Sequence, residues 1–283
     1  MYFHHDLWYD EYVIHGTAYS ISHQRRSGGH AIISWLAGHF SVVGHSNSNR
    51  WGVPPNYRMS CWILPDAAKT ESDGTVRGST FPMDHRCRRD SYVPSIEKDL
   101  LVISYEDPTV SAWTPDVPPR YGRVAKHRRI LVLRSFYNVM ASRLQYQDGR
   151  VEGVRFHAAG YKDDRVGMWI ENAEFALKPH GDTLVILYDL WVTSPTYRRL
   201  IEKSLGLRED DSRLEIVPPE GGGSSFDKRS LRTKAQKMDV NARWRAVEQW
   251  PSAVLESEKA RELNRALFGW SLDSSGKPDG VPV

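Results

Sequence analysis

Apolar residues along this chain gather in short continuous runs separated by polar, helix-period stretches. Leu100-Leu-Val-Ile-Ser104, Arg129-Ile-Leu-Val-Leu-Arg134 and Thr183-Leu-Val-Ile-Leu-Tyr188 each hold four consecutive aliphatic side chains. Runs of that length, with polar residues at both ends, mark strands covered on both faces, as in a parallel sheet. A fourth strand is predicted over 18–23, where Tyr19-Ser-Ile-Ser-His-Gln precedes a glycine pair. Helices are expected between these strands. They are His30 to Ala37, Phe136 to Gln147 (with Val139, Met140 and Leu144 on one face), Asp164 to Leu177, and Pro195 to Leu205 ended by Gly206. Four buried strands alternating with helices imply an α/β protein, a three-layer αβα sandwich on a central parallel sheet.

The rest of the chain carries less pattern. Residues 41–95 have no clean period and hold Pro54-Pro55, Gly74, Gly78 and Pro82, so loops and short helices are expected there. Glu220-Gly-Gly-Gly-Ser-Ser225 has the composition of a linker or a mobile binding loop. Val240 to Gln249 and Glu256 to Phe268 are read as helices, and Ser271 to Val283 as a frayed Gly/Ser/Pro-rich tail. With no internal repeat and 283 residues, one domain over 1–283 is expected.

Composition removes several classes. Thirty-one aromatic residues (10 Trp, 13 Tyr, 8 Phe) exclude a disordered chain. Cys61 and Cys87 are too few for a disulfide framework or a four-cysteine zinc site and are read as free thiols. The histidines, among them His4, His5, His15, His23, His39 and His45, fall at no metal-ligand spacing with acids or cysteines, so no metal is expected. No membrane-length apolar stretch and no secretory leader is read, so the expected location is the cytoplasm.

Charge sharpens the picture. The net value is only +3, yet Arg120, Arg123, Lys126, Arg128, Arg129 and Arg134 cluster in one segment. Lys228, Arg229, Arg232, Lys234, Lys237, Arg243 and Arg245 cluster in another. Such clusters suit a phosphate-rich ligand, or else form solvated faces.

Two local constellations carry candidate chemistry. Arg25-Arg26-Ser27-Gly28-Gly29-His30 joins a strand to a helix start and is not a Walker A loop, because no Gly-x-x-x-x-Gly-Lys-Ser/Thr is present. It still offers cations, a hydroxyl, two glycines and a helix N-terminus, which together suit an anion. In the second constellation Arg134 ends a strand and Ser142 lies eight residues on, inside the next helix. A cation and a hydroxyl so placed can converge on one phosphate.

Together these two stretches resemble the sulfotransferase family that uses 3′-phosphoadenosine-5′-phosphosulfate (PAPS). Arg26-Ser27-Gly28 matches the family's Lys/Arg-Ser-Gly, although Gly29 and His30 stand where two threonines are usual. Arg134 and Ser142 match the family's Arg-(seven residues)-Ser. Leu187-Tyr188-Asp189-Leu190, Pro195 and Leu205-Gly206-Leu207 resemble a further stretch common in these enzymes. The segment with Phe226, Lys228, Arg229 and Arg232 is similar to the late loop that closes over the nucleotide.

The resemblance implies a P-loop-like topology with the cofactor at strand C-terminal ends. It also implies transfer of a sulfuryl group from PAPS to a hydroxyl or amine of a small-molecule acceptor, leaving 3′-phosphoadenosine-5′-phosphate (PAP). Arg25, Arg26, Ser27, Gly28, Gly29 and His30 would hold the 5′ end. Arg134, Ser142, Tyr188, Phe226, Lys228, Arg229 and Arg232 would hold the remainder. Glu106, at the end of the Leu100–Ser104 strand, is the expected general base, with Asp107 its nearest rival, and Arg26 and His30 complete the catalytic set. Trp51, Tyr57, Trp62 and Trp113 are expected to rim the acceptor pocket. A nucleic-acid or membrane partner is not expected, and a homodimer is left open. Two rivals stand beside this reading: a small-molecule kinase, which the missing Walker lysine disfavours, and a non-enzymatic nucleic-acid-binding module using the basic clusters.

Overall fold

The computed structural model describes residues 14–40, 43–49, 58–63, 69–70, 76–77, 100–111, 113, 123–147, 165–217, 226–227, 231 and 233–280. Strand β1 (Ile14–His23) leads through a tight loop into helix α1 (Gly29–Ala37). Four strands follow, β2 (Val43–Asn49), β3 (Arg58–Ile63), β4 (Lys69–Thr70) and β5 (Val76–Arg77), and then β6 (Leu100–Glu106) and β7 (Arg123–Leu133). Next come α2 (Phe136–Gln147), α3 (Arg165–Leu177), β8 (Thr183–Leu187), α4 (Tyr188–Thr193) and α5 (Pro195–Leu205). The chain then passes through α6 (Ser252–Leu255), α7 (Glu258–Phe268), β9 (Trp270–Leu272) and β10 (Pro278–Gly280).

Six strands form one sheet in the order β3-β2-β6-β1-β7-β8. All neighbours are parallel except β2 with β3. The expected α/β architecture with a central parallel sheet is therefore present. β1 lies at its centre between β6 and β7, and every residue of β6 is buried. One core packs α1 (Ile32, Ile33, Trp35, Leu36) with Trp191 and Ile201 against Tyr19, Ile21, Val102 and Val132. A second packs α2, α3 and α7 around Phe136, Trp169, Leu263 and Trp270. Helices thus cover both faces, and the strands' C-terminal ends open on one edge.

Several expectations are corrected. Strand β1 begins earlier than residue 18 and β7 earlier than 129; the exposed half of β7 carries the charged residues that an apolar-run criterion misses. β8 stops at Leu187, and Tyr188 opens α4 instead of ending a strand. Within 41–95, read as loops, the polar segment Val43–Asn49 is a sheet strand because β6 offers it a full parallel ladder.

No helix spans 240–249. Turns and a 3₁₀ turn at Arg243–Ala246 occupy that stretch, because side chains take its backbone groups. Arg134 binds the Val240 carbonyl, and Asn138 binds the Asn241 carbonyl and the Trp244 N–H. The helix expected over 256–268 is present but starts two residues later, at Glu258, because Ser257 caps it by accepting from the Ala260 N–H. The expected frayed tail instead holds the β9–β10 hairpin, with Ser271 and Leu272 buried. Trp113, expected at a pocket rim, packs edge-on against Tyr105 in a core cluster with Leu101 and Ile103. Trp51 and Tyr57 lie outside the described residues, as does the side chain of Trp62.

Candidate nucleotide-binding and transfer site

The β1–α1 loop is built by close contacts. Gln24 accepts from Ser27 through both its N–H (3.1 Å) and its hydroxyl (2.6 Å), which folds 24–27 into a turn. Arg26 takes φ 71°, a left-handed conformation rarely adopted by residues with a Cβ. Gly28 has φ 87°, and a Cβ there would lie 2.0 Å from the Tyr188 ring. A Cβ at Gly29 would lie 2.4 Å from the His23 ring. Both glycines are therefore demanded by packing. Helix α1 has Gly28 at its N-cap position, which leaves its N-terminus free of a capping side chain there.

The loop is pinned to β6. Asp107, at φ 59°, donates its N–H to the His23 carbonyl (2.9 Å). Its Oδ1 accepts from the Arg25 N–H (2.8 Å) and from the buried Arg143 guanidinium. Burial pushes the Asp107 carboxyl up, but Arg143 and the Arg25 N–H outweigh it and hold the group below its ordinary range. Asp107 is thus a bracket for the loop, a role that differs from that of the rival base considered from sequence.

Glu106 is buried between the loop and α1. Its Oε2 accepts from Arg25 Nε at 3.2 Å, and its Oε1 lies 3.9 Å from His30 Nε2. Burial raises its proton affinity, yet His30, His23 and Arg25 together hold it below the usual carboxylate value. His30 is lowered as well, by a different cause. Burial lowers it to about 4 against the pull of Glu106, so its imidazole is neutral at pH 7. Its Nε2 has no hydrogen-bond partner, although the side chain keeps 22% exposure. Arg25 rather than Arg26 is the cation on Glu106.

A second centre forms where β7 meets α2. Arg134 Nη1 donates to the Arg26 carbonyl (2.9 Å) and to Ser142 Oγ (3.2 Å), while Nη2 reaches the Val240 carbonyl. The guanidinium stacks on the Tyr188 ring at 5.3 Å. Arg243 Nη1 also donates to Ser142 Oγ (3.4 Å), and its guanidinium lies over Phe226 at 5.0 Å and 3.5 Å from Asp227. Both arginines are buried, at 2% and 8% exposure. Burial lowers the proton affinity of each; Arg243 falls to about 10, with Arg134 adding to the effect. Two desolvated cations sharing one hydroxyl repel each other, and Arg134 Nε has no hydrogen-bond partner. Such an arrangement favours an anion.

Side chains to which the sequence reading gave no role of their own hold this centre. Asp189 accepts from the Ser135 N–H and hydroxyl (both 2.8 Å) and from Asn138. Asn264 accepts from the Phe136 N–H (2.7 Å) and donates to the Trp270 carbonyl (2.7 Å). These carboxylate and amide oxygens cap the start of α2 from outside it. Asn138 in turn fixes 241–244 and so aims Arg243. Arg243 stood among the basic residues of the second cluster, but nothing local singled it out. Lys228, Arg229 and Arg232 lie outside the described residues.

The structure therefore brings the 25–30 loop and Glu106 together, joins Arg134, with Ser142 and Tyr188, to that loop through the Arg26 carbonyl, and adds Phe226 through Arg243. Among the described residues no group of three metal-ligating side chains occurs, and no helix is long and apolar enough to cross a membrane.

No family model matches the chain, and no curated protein matches it. Among solved structures, the chain is similar to a sulfotransferase domain from the Synechococcus PCC 7002 olefin synthase, at 15% identity and TM-score 0.48, covering 93% of this chain and 98% of that one. It is also similar to mouse sulfotransferase SULT7A1 complexed with PAP, at 11% identity and TM-score 0.41, covering 88% and 84%.

Proposed function

We propose that the protein is a PAPS-dependent sulfotransferase acting on a hydroxyl or amine of a small molecule. The observation that carries this reading is the convergence of Arg134 and Arg243 on Ser142. Two buried guanidiniums and a hydroxyl match a phosphate dianion, which would neutralise their repulsion and accept from all three. That centre would take the 3′-phosphate. The loop 25–30, with the α1 N-terminus, would take the 5′ end, where Arg26 and the backbone N–H groups would stabilise charge on the leaving phosphate.

In the reaction the bond between sulfur and the phosphate oxygen breaks, a bond from sulfur to the acceptor atom forms, and the acceptor loses a proton. His30 and Glu106 are the groups in place for that proton. A neutral imidazole with an unpartnered Nε2 can accept it, and the Glu106 carboxylate 3.9 Å away stabilises the resulting imidazolium. Glu106 thus serves the proton transfer in partnership with His30 instead of alone.

Titration calorimetry with PAP and with ATP tests the reading directly. PAP is expected to bind and ATP to bind far more weakly. Preference for ATP would favour the kinase reading. Binding of oligonucleotides with a steep salt dependence, and no preference for PAP, would favour the nucleic-acid module.

A further inference from the structure

His23 is the last residue of β1, and in the parallel ladder it pairs with Glu106 on one side and Val132 on the other. In-register neighbours project to the same face of a sheet, so the imidazole stands beside the Glu106 carboxylate. The ring is 2% exposed. It lies across Gly29 so closely that no Cβ fits between them, and it meets the His30 ring edge-on at 5.8 Å. Its Nδ1 sits 3.3 Å from the Gln24 carbonyl, so Nδ1 carries the hydrogen there. Its Nε2 is buried with no partner. An orphaned buried polar atom carries a substantial penalty, and here it is paired with a glycine that exists only to admit the ring.

We infer that His23 is a further ligand-binding residue of the 5′ end of the site, donating from Nε2–H to the nucleotide's 5′ anion as an imidazolium formed on binding. This rests on the nucleotide reading above. The proton comes from solvent. Nδ1–H keeps its bond to Gln24, so a second N–H at Nε2 lets the ring donate at both nitrogens. The titratable groups around the ring are Glu106 from β6, which also carries Arg25, and the neutral His30 from α1, while Asp107 touches the residue only through the His23 carbonyl. Val132 brings no charge from β7. In the free protein Glu106 shares its charge with Arg25. An incoming anion occupies the cations and leaves Glu106 to support an imidazolium.

Calorimetry of PAP binding near pH 7.5, in two buffers of different ionisation enthalpy, reads the proton count. The wild-type protein takes up a fraction of a proton, His30→Gln retains that uptake, and His23→Gln abolishes it. His23→Gln also weakens PAP by about tenfold to a hundredfold, the span for a hydrogen bond to a charged group. It leaves adenosine 3′-phosphate, which lacks the 5′ group, unchanged. Gly29→Ala, whose Cβ displaces the ring, gives the same selective loss without altering the imidazole. No uptake by the wild type, uptake that disappears with His30→Gln instead, or equal losses for both nucleotides would overturn the role of His23. Failure of the wild type to bind either nucleotide would instead overturn the nucleotide reading itself.

Discussion

Arg243 lies 101 positions beyond Ser142 in the chain, yet its guanidinium donates to Ser142 Oγ at 3.4 Å, beside the bond from Arg134 at 3.2 Å. A hydroxyl that accepts from two cations makes the arginines a unit. Arg243→Ala is expected to weaken PAP by about tenfold to a hundredfold, as is Arg134→Ala. The double variant should lose less than the product of the two, because the groups share one partner. Ligand-free Arg243→Ala should unfold only a few degrees lower than the wild type, because the like-charge contact with Arg134 is lost together with the Asp227 ion pair and the Phe226 contact. Unchanged PAP affinity in a folded Arg243→Ala protein would remove it from the site.

Adjacent carboxylates separate by role. Glu106→Gln should weaken PAP only through lost support of the His23 imidazolium, while turnover at saturating nucleotide falls by ~10²–10⁴, the range for lost acid–base assistance. Asp107→Asn should lose stability first. It leaves the buried Arg143 guanidinium without its carboxylate, and breaking such a pair costs about 3–5 kcal/mol. Denaturant titration and steady-state rates on both variants check the division; a stable, inactive Asp107→Asn would reverse it.

Two left-handed glycines give a controlled comparison. A Cβ at Gly28 meets the Tyr188 ring at 2.0 Å, whereas a Cβ at Gly206 meets nothing within 4 Å. Gly206→Ala is expected to cost only the left-handed backbone penalty, about 1–2 kcal/mol. Gly28→Ala adds displacement of Tyr188, on which Arg134 stacks, so PAP affinity should fall along with the melting temperature.

Acid should weaken the fold through His30. Its folded value, about 4, lies below the ordinary 6.5. The unfolded chain therefore binds more protons between those values, and stability present above pH 6.5 is lost as pH falls towards 4. At about 1.4 kcal/mol per unit this amounts to at most about 3.5 kcal/mol. Glu106, also held low, adds loss in the same direction below its ordinary 4.5. Urea unfolding at pH 7 and pH 5 should show a smaller drop for His30→Gln than for the wild type. An equal drop would place the acid sensitivity elsewhere.

The sheet's buried strands were legible because Leu100–Ser104 and Ile130–Leu133 are continuous apolar runs, and covering both faces leaves no room for polar alternation. Arg134 and Ser142 were legible because eight residues across a strand–helix junction is a local distance. Arg243 was not, since the Asn138 bonds that aim it join residues more than 100 positions apart. His23 looked like any core histidine; only the ring's fit against Gly29 and its orphaned nitrogen set it apart. Val43–Asn49 escaped because a polar strand is chosen by its neighbour's ladder, not by its own pattern.

Asn264 ties α2's first N–H to the strand at Trp270. The helix that presents Ser142 is thus closed off by residues made more than 120 positions later. During synthesis the sheet strands and the anion-facing loop emerge first, with the α2 end still open and its N–H groups facing water. On the nucleotide reading proposed above, the Asn264 bonds would make PAP affinity depend on α7 and the β9–β10 hairpin being in place, so that ligand binding would report the integrity of a segment far along the chain.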